Sequence, residues 1–463
     1  MRGFVVLLAA SLTGVLLPSV QGASNAPERP AWDGTWRELV TVGAVPEARG
    51  LSSAVYDPVR ARMILFGGTD DLEAGTYFGD VWALSLTGEP TWTELHPIGT
   101  PPSARLGHAA IYDPVRDRMI VWSGYDGTDV DDVWALSLSG PLTWTRIVPI
   151  GPTPGGRGAS SLIYDPVRDR LVMFGGYRGF AHNDVWVLPL AGPPVWTELT
   201  PTGSRPIGRG IHTAFYDPIR DRMVVFGGGD LDVFNDVWAL SLAGEPSWTE
   251  ILPEGILPLP RTGQCGIYDV LRDRMVVHSG AEAGDLSSPP LEDVWELSLA
   301  DPPTWTQLFP AGTAPRGRTS ASGVYDVAGD AMVFFGGIDE GFYLDDSWAL
   351  EWGGPAGVTG DANRTGAPRA RLRLSGANPL RPGDRIEITL DGPATDGRAT
   401  LTLFDVQGRR LGVLWAGHTA PTGRLWSGVV QELPIRASGT YWLRAQVGNA
   451  AITRALVVLC ERE

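Results

Sequence analysis

Six times between residues 32 and 352 the chain repeats the same landmarks in the same order. A Trp followed by Thr or Arg stands at Trp36, Trp92, Trp144, Trp196, Trp248 and Trp305. A Tyr-Asp pair begins at Tyr56, Tyr112, Tyr164, Tyr216, Tyr268 and Tyr325. A Gly closes a Gly-Gly or Ser-Gly pair at Gly68, Gly124, Gly176, Gly228, Gly280 and Gly337. An Asp precedes Val-Trp or Ser-Trp at Asp80, Asp132, Asp184, Asp236, Asp293 and Asp346. The basic period is 52 residues. A period of this size means that each unit is one supersecondary element and that units bury their faces on one another.

Each unit reads as four short strands. In the third they are expected over Ala159 to Tyr164, Arg170 to Phe174, Asp184 to Leu190 and Val195 to Leu199. The runs are aromatic and β-branched and are bounded by Gly, Pro and Asp. Asp165-Pro166-Val167-Arg168-Asp169 is a turn between the first two: Pro presets φ, and Asp bonds the local backbone. The Gly pair marks a place where backbone turns or approaches closely. Twelve of the 18 Trp residues fall at repeat positions, as flat sheets packed face to face require, because a large ring fills the gap between them.

The Gly-Gly after an apolar strand, an aromatic in the third strand and Trp-x-x-Leu in the fourth resemble Kelch repeats. That resemblance implies an all-β chain whose residues 32–352 form a six-bladed Kelch β-propeller, one four-stranded blade per repeat. The first copy opens with a lone fourth strand over residues 35–40, and the last stops after its third strand. The two chain ends are therefore expected to complete one blade together, which also removes an exposed edge.

The spacings show where variation is tolerated. From each landmark Trp to an Arg is 13 residues in all six copies, giving Arg49, Arg105, Arg157, Arg209, Arg261 and Arg318. Arg to Tyr is always 7 and Tyr to Gly always 12. Only the loop between the Gly and the Asp varies, with lengths of 11, 7, 7, 7, 12 and 8. In repeat proteins such variation marks the binding face. The loops mix aromatics with carboxylates, a chemistry suited to sugars or cationic partners. Their candidates for ligand contact are Tyr77, Tyr125, Tyr177, His182, Phe234 and Tyr343; Phe180 and Phe342 lie beside them. The Kelch resemblance places these loops on one face with the six arginines, which would then ring the channel mouth. A guanidinium there suits a carboxylate. The other reading open to an Arg repeated in every blade is an internal ion pair with the neighbouring acidic loop.

Two enzymatic relatives of the fold define the alternative. Galactose-oxidase-like propellers hold copper with Tyr and His and carry a Tyr-Cys crosslink. Sialic acid mutarotases are six-bladed Kelch proteins with a polar channel mouth. Only six His occur here, with His108 and His212 at equivalent places two blades apart, and no pair stands out as acid and base. Asp126, Asp129 and Asp131 are weak calcium candidates, since hard cations want oxygen ligands. No cofactor is expected.

Residues 353–371 are rich in Gly, Pro and Ala and read as a linker. Residues 372–459 then alternate short strands, over Arg385 to Leu390, Ala399 to Phe404, Arg410 to Trp415, Gly439 to Ala445 and Ile452 to Val458, which suits a small Ig-like β-sandwich. Asn378-Pro379, Phe404-Asp405-Val406-Gln407-Gly408-Arg409, Gly423, Trp426 and Gly439-Thr440-Tyr441 resemble the C-terminal sorting domain of type IX secretion substrates and the Ig-like domain of flagellar hook-capping proteins. This resemblance implies a bacterial chain whose tail engages secretion machinery.

Residues 1–22 have the layout of a secretory signal: Arg2, an apolar run from Phe4 to Leu17, Pro18 and small residues before a cleavage site. The run is short for a bilayer span, and no transmembrane segment is expected in the mature chain. All 37 basic residues are Arg, against 53 acids, for a net charge of −16; this argues against nucleic acid as a partner. Cys265 and Cys460 read as free thiols. The expectation is an exported, secreted or surface-displayed monomer that binds a protein or carbohydrate ligand on its loop face, with a carbohydrate-active enzyme at the channel mouth as the alternative.

Overall fold

The computed structural model describes residues 33–353, except 73, 231 and 283–288, together with seven strands between residues 371 and 458. Among the described residues every regular element is a strand. Six antiparallel four-stranded units follow in chain order, the fifth extended at its outer edge by the two-residue parallel strand Glu254–Gly255. Blade 1 consists of Ser53–Asp57, Arg62–Phe66, Val81–Ser85 and Trp92–Leu95. Blades 2 to 5 repeat that order, their first strands being Ala109–Asp113, Ser161–Asp165, Thr213–Asp217 and Cys265–Asp269. Blade 6 takes Ser322–Asp326, Ala331–Phe335 and Ser347–Glu351 from the end of the repeat region and Thr35–Glu38 from its beginning. Thr35 pairs with Glu351 and Glu38 with Trp348, so the ring closes by hydrogen bonds between the two ends of the propeller.

The core is six layers, each shared by two neighbouring blades. Ile64, Phe66 and Val81 of blade 1 pack on Met119, Val121 and Trp144 of blade 2. Four further clusters repeat this arrangement around the ring, and Met63, Leu65 and Trp92 of blade 1 meet Val333, Phe335 and Ala349 of blade 6 in the last. Each fourth-strand Trp packs on the ring that ends the second strand of the preceding blade. The pairs are Trp92–Phe335, Trp144–Phe66, Trp196–Trp122, Trp248–Phe174, Trp305–Phe226 and Trp36–His278, with centroids 4.9–5.6 Å apart. Such contacts add about 0.5–1.5 kcal/mol each to the area they bury.

The turn between the first two strands forms as its residues require. In blade 3 the Asp165 carboxylate accepts from the backbone N–H of Val167 and Arg168 at 3.1 and 3.2 Å. At the other end the Gly pair lets backbones cross closely. Gly67 and Gly68 hold φ of 66° and 102°, and a Cβ on Gly68 would lie 2.8 Å from the Gly50 carbonyl oxygen.

In the tail, Arg371–Ser375, Arg385–Asp391 and Thr422–Val429 form a three-stranded antiparallel sheet. Arg398–Asp405, Arg410–His418, Gly439–Val447 and Ala450–Val458 form a four-stranded one. Each of the five strands expected there is present, and two more join them. The expected signal segment 1–22, nearly all of the linker, Asn378-Pro379 and Cys460 lie outside the described residues. No helix among the described residues is long and apolar enough to cross a membrane.

Candidate functional site

The variable loops and the segments that lead into each first strand occupy one end of the propeller. Bridges such as Gly50 to Thr69, Leu106 to Tyr125 and Gly158 to Tyr177 tie each loop to the lead-in segment of its own blade. The six arginines sit in those segments and are at most 1% exposed. Arg49 shows the arrangement that all six share. Its Nη1 and Nη2 donate to the two carboxylate oxygens of Asp80 at 2.6 and 2.9 Å. Nη1 also donates to the Gly67 carbonyl, and Nε to the Glu47 carbonyl. The second Asp80 oxygen accepts as well from the Trp82 indole at 2.6 Å. Asp132, Asp184, Asp236, Asp293 and Asp346 repeat the clamp with Arg105, Arg157, Arg209, Arg261 and Arg318. Burial alone would raise the Asp80 carboxyl, but the hydrogen bonds and charge of Arg49 and the bond from Trp82 hold it below the usual carboxylate range. These arginines are therefore spent inside their own blades and present no free guanidinium to the channel.

Two residues beyond each arginine the backbone turns left-handed: Leu51, Gly107, Ala159, Ile211, Gly263 and Ser320 have φ between 52° and 68°. That conformation costs a non-glycine residue about 1–2 kcal/mol. Here it lets the six residues bond head to tail around the axis. Leu51 N donates to Ser320 O, Gly107 N to Leu51 O and Ala159 N to Gly107 O, at 2.7–3.1 Å. Ile211 N donates to Ala159 O, Gly263 N to Ile211 O and Ser320 N to Gly263 O, which closes the cycle within the same range. These residues and the one after each line a cavity of about 140 Å³. Nothing in the sequence announces the ring, because Leu, Ala, Ile and Ser share only their position.

His108 and His212 follow the ring residues, and each reaches into the preceding blade. Their Nε2 atoms lie 2.6 Å from Ser53 Oγ and 2.8 Å from Ser161 Oγ. Burial, then the charge of Arg105 or Arg209, pushes both imidazoles down to about 3. They are neutral joints between blades. Burial pushes the Cys265 thiol up to about 12.

Four of the aromatic loop candidates join the loops to one another, and two stay within their own blade. Tyr343 Oη accepts from Leu72 N at 3.1 Å, linking loops 6 and 1. Tyr77 and Tyr125 meet edge to face at 5.9 Å, linking loops 1 and 2. Tyr177 donates to the Gly229 carbonyl, linking loops 3 and 4. Phe234 lies under the Arg209 guanidinium at 4.3 Å. His182 stacks on Phe180 at 4.4 Å, and burial followed by Arg157 lowers its titration. Among the described residues the large apolar groups these loops expose are Leu72, Tyr125, Phe180 and Phe342; Leu72 is the one the loop reading missed. Of the calcium candidates, Asp126 accepts from Ser103 and Asp131 from Thr153. Among the described residues no three His, Cys, Asp or Glu side chains are grouped to hold a metal ion.

The chain is similar to host cell factor homolog hcf-1 of Caenorhabditis elegans, 26% identical over 328 residues that make up 60% of this chain and 40% of that protein. It is also 26% identical to human host cell factor 1 over 295 residues, 54% of this chain and 14% of that protein. It thus spans less than half the length of either relative. Among solved structures, a fungal alcohol oxidase of the AA5 family in complex with copper matches with a TM-score of 0.54 at 15% identity, over 88% of this chain and 85% of that one; this likeness shows the fold alone. The family model of the KLHDC2/KLHL20/DRC7 Kelch-repeats domain matches residues 31–209 and 168–353. With six phased blades behind that match, the chain belongs to the Kelch-repeat family.

Proposed function

We propose that this is an exported binding or scaffold protein that recognises a protein or carbohydrate through the loop end of its propeller, and that the tail serves secretion or surface display. The observation that carries the reading is the division between the repeated and the variable parts. The six repeated arginines and aspartates at the loop end are used up in holding their own blades together, whereas the loops differ in length and hold out Leu72, Tyr125, Phe180 and Phe342. Exposed apolar groups gathered on one face mark interaction sites. The Kelch relatives fit a protein-binding role. A signal-like N-terminus and a tail of two antiparallel sheets fit export, and the tail's landmarks fit an Ig-like sorting module.

The test is a thermal-shift screen of the full chain against sugars, sugar acids and basic and acidic peptides, repeated on Phe180→Ser/Phe342→Ser and on Val167→Ser at the opposite end. A ligand that binds only the native state raises the melting temperature. The expected shift is lost in the loop variant and kept in Val167→Ser. The reverse pattern would move the site to the other end of the propeller.

A further inference from the structure

At the end opposite the loops, an arginine of one blade grips the turn of the next. Arg60 bonds both carboxylate oxygens of Asp117, at 3.2 and 2.7 Å. Arg116 does the same to Asp169, Arg168 to Asp221, Arg220 to Asp273 and Arg272 to Asp330. Each of these arginines, with a second one two residues later, also pairs with the buried aspartate that opens its own turn. Arg60 and Arg62 thus share Asp57.

The junction from blade 6 back to blade 1 departs from this pattern at every position. Gly329 stands where the gripping arginine should be, Ala331 replaces the second arginine, and Ala61 replaces the aspartate of the receiving turn. Asp326, the aspartate that opens the blade 6 turn, keeps its place and is 4% exposed. Among the described residues no arginine pairs with it. Its hydrogen-bond donors are Tyr56 Oη of blade 1 at 2.8 Å, the Ala328 backbone N–H at 3.1 Å and the Gly329 backbone N–H. In blades 2 to 6 the equivalent tyrosine bonds the aspartate of its own turn. Tyr56 has no such aspartate, and its hydroxyl crosses the junction instead.

We propose that the blade 6–blade 1 junction is the propeller's built-in opening point, and that protonation of Asp326 seals it. An ionised carboxylate buried without a cation is costly, and this one sits at the one junction that, among the described residues, no turn-end arginine spans. The charged groups near it add nothing favourable. Asp330 in the same turn carries the same sign and is bound by Arg272 of blade 5. Tyr56 is held protonated by burial and by Asp326 itself. Burial, against the bonds from Tyr56 and the turn amides, raises the Asp326 carboxyl above its ordinary value. The sign follows: a raised acid favours folding below its pKa and loses that contribution as pH rises through it. The loop end of the same junction is fully made, by Leu51 N to Ser320 O, Gly337 N to Arg49 O and Ser52 Oγ to Ser322 Oγ. Opening is therefore confined to the turn end.

The experiment is hydrogen exchange by mass spectrometry on the full chain, corrected for intrinsic rates, at a pH of about 7.5 and of about 4, the lower one at the ordinary carboxylate value, where any raised carboxyl is mostly protonated. It compares peptides covering 53–66 and 322–335 with the equivalent 161–174 and 213–226. At the higher pH the first pair is expected to exchange severalfold faster than the second, and the gap should narrow at the lower pH. Asp326→Asn should abolish the pH dependence of the gap, and Ala61→Asp/Gly329→Arg should close the gap at the higher pH. The double variant carries the test if the single one fails to fold. Equal exchange at all junctions, or a pH-dependent gap that survives in Asp326→Asn, overturns the proposal.

Discussion

The propeller carries two sets of arginines, and they follow different rules. At the loop end, Arg49 and its five counterparts bond an aspartate of their own blade, and all six copies are present. At the turn end, Arg60 and its counterparts bond an aspartate of the next blade, and only five copies are present. A bond inside a blade is needed wherever there is a blade. A bond between blades is needed only where nothing else holds the junction. At the closure the strand Thr35–Glu38 completes blade 6, and the junction from blade 6 to blade 1 is left to the loop-end bonds and the apolar layer between the two blades. Intra-blade bonds thus define the unit, and inter-blade bonds tune how tightly units are joined.

The largest expected effect breaks the first set. Arg105→Ala leaves Asp132 half-buried without its cation and strips a donor from the Ser123 carbonyl. Removing one partner of a buried pair costs about 3–5 kcal/mol, measured here by urea unfolding. Arg105→Lys should recover little, because an ammonium cannot supply the fork that two carboxylate oxygens and a carbonyl require. Arg168→Ala at the turn end should cost about 1 kcal/mol, because its side chain is partly exposed and Arg170 still faces Asp165. Equal losses for the two variants would erase the distinction.

A second effect, intermediate in size, acts through pH. His278 stands where other blades place Phe or Trp under the next blade's Trp, and burial, followed by the charge of Arg318, pushes it down to about 3. A depressed base supplies stability above its unfolded value of about 6.5, and that stability is lost as pH falls from there toward 3, by roughly 1.4 kcal/mol per pH unit per group. His108 and His212 add the same slope. His278→Phe should remove one group's share, about 1.4 kcal/mol per pH unit, from the slope of stability between about pH 6 and 5, read from unfolding midpoints across that range. An unchanged acid limb would mean that the imidazole is not buried in the neutral form.

Much of this was legible in the residues, and what escaped has physical causes. The fixed interval from Trp to Arg, and the Asp before each third strand, were both visible. An ion pair within the blade was among the readings; which aspartate each arginine takes was hidden because the variable loop lies between them, so no constant spacing joins Arg49 to Asp80 and Arg105 to Asp132. The turn motif of Asp165 to Asp169 was read correctly as a local turn. Its reach to Asp221 requires knowing that blade 4 packs against blade 3 at that end. The left-handed ring could not be read at all, since a conformation imposed by closure around an axis selects no common side chain. Ala61, Gly329 and Ala331 stood in plain view as departures from the repeat. They acquire meaning only once the ring shows that they face one junction.

The smallest expected effect restores the missing bridge. Ala61 holds φ of 46°, close to the 47–52° of the aspartates at the other turns, and aspartate tolerates that region better than alanine. At Gly329 an added side chain would meet the Asp326 carboxylate, which must shift on its bonds from Tyr56 and the turn amides to receive a guanidinium. Ala61→Asp alone adds a second carboxylate beside an unpaired one and should destabilise. Gly329→Arg alone supplies a cation for Asp326 with no partner across the junction. Together they should gain about 0.5–1 kcal/mol at neutral pH, with a favourable coupling in the double-mutant cycle. Coupling at this junction as strong as that between Arg168 and Asp221 would show that the sixth bridge was omitted and not forbidden by the geometry. Absence of coupling would mean that closing the ring by the terminal strand sets blades 6 and 1 at a spacing which the other five bridges do not share.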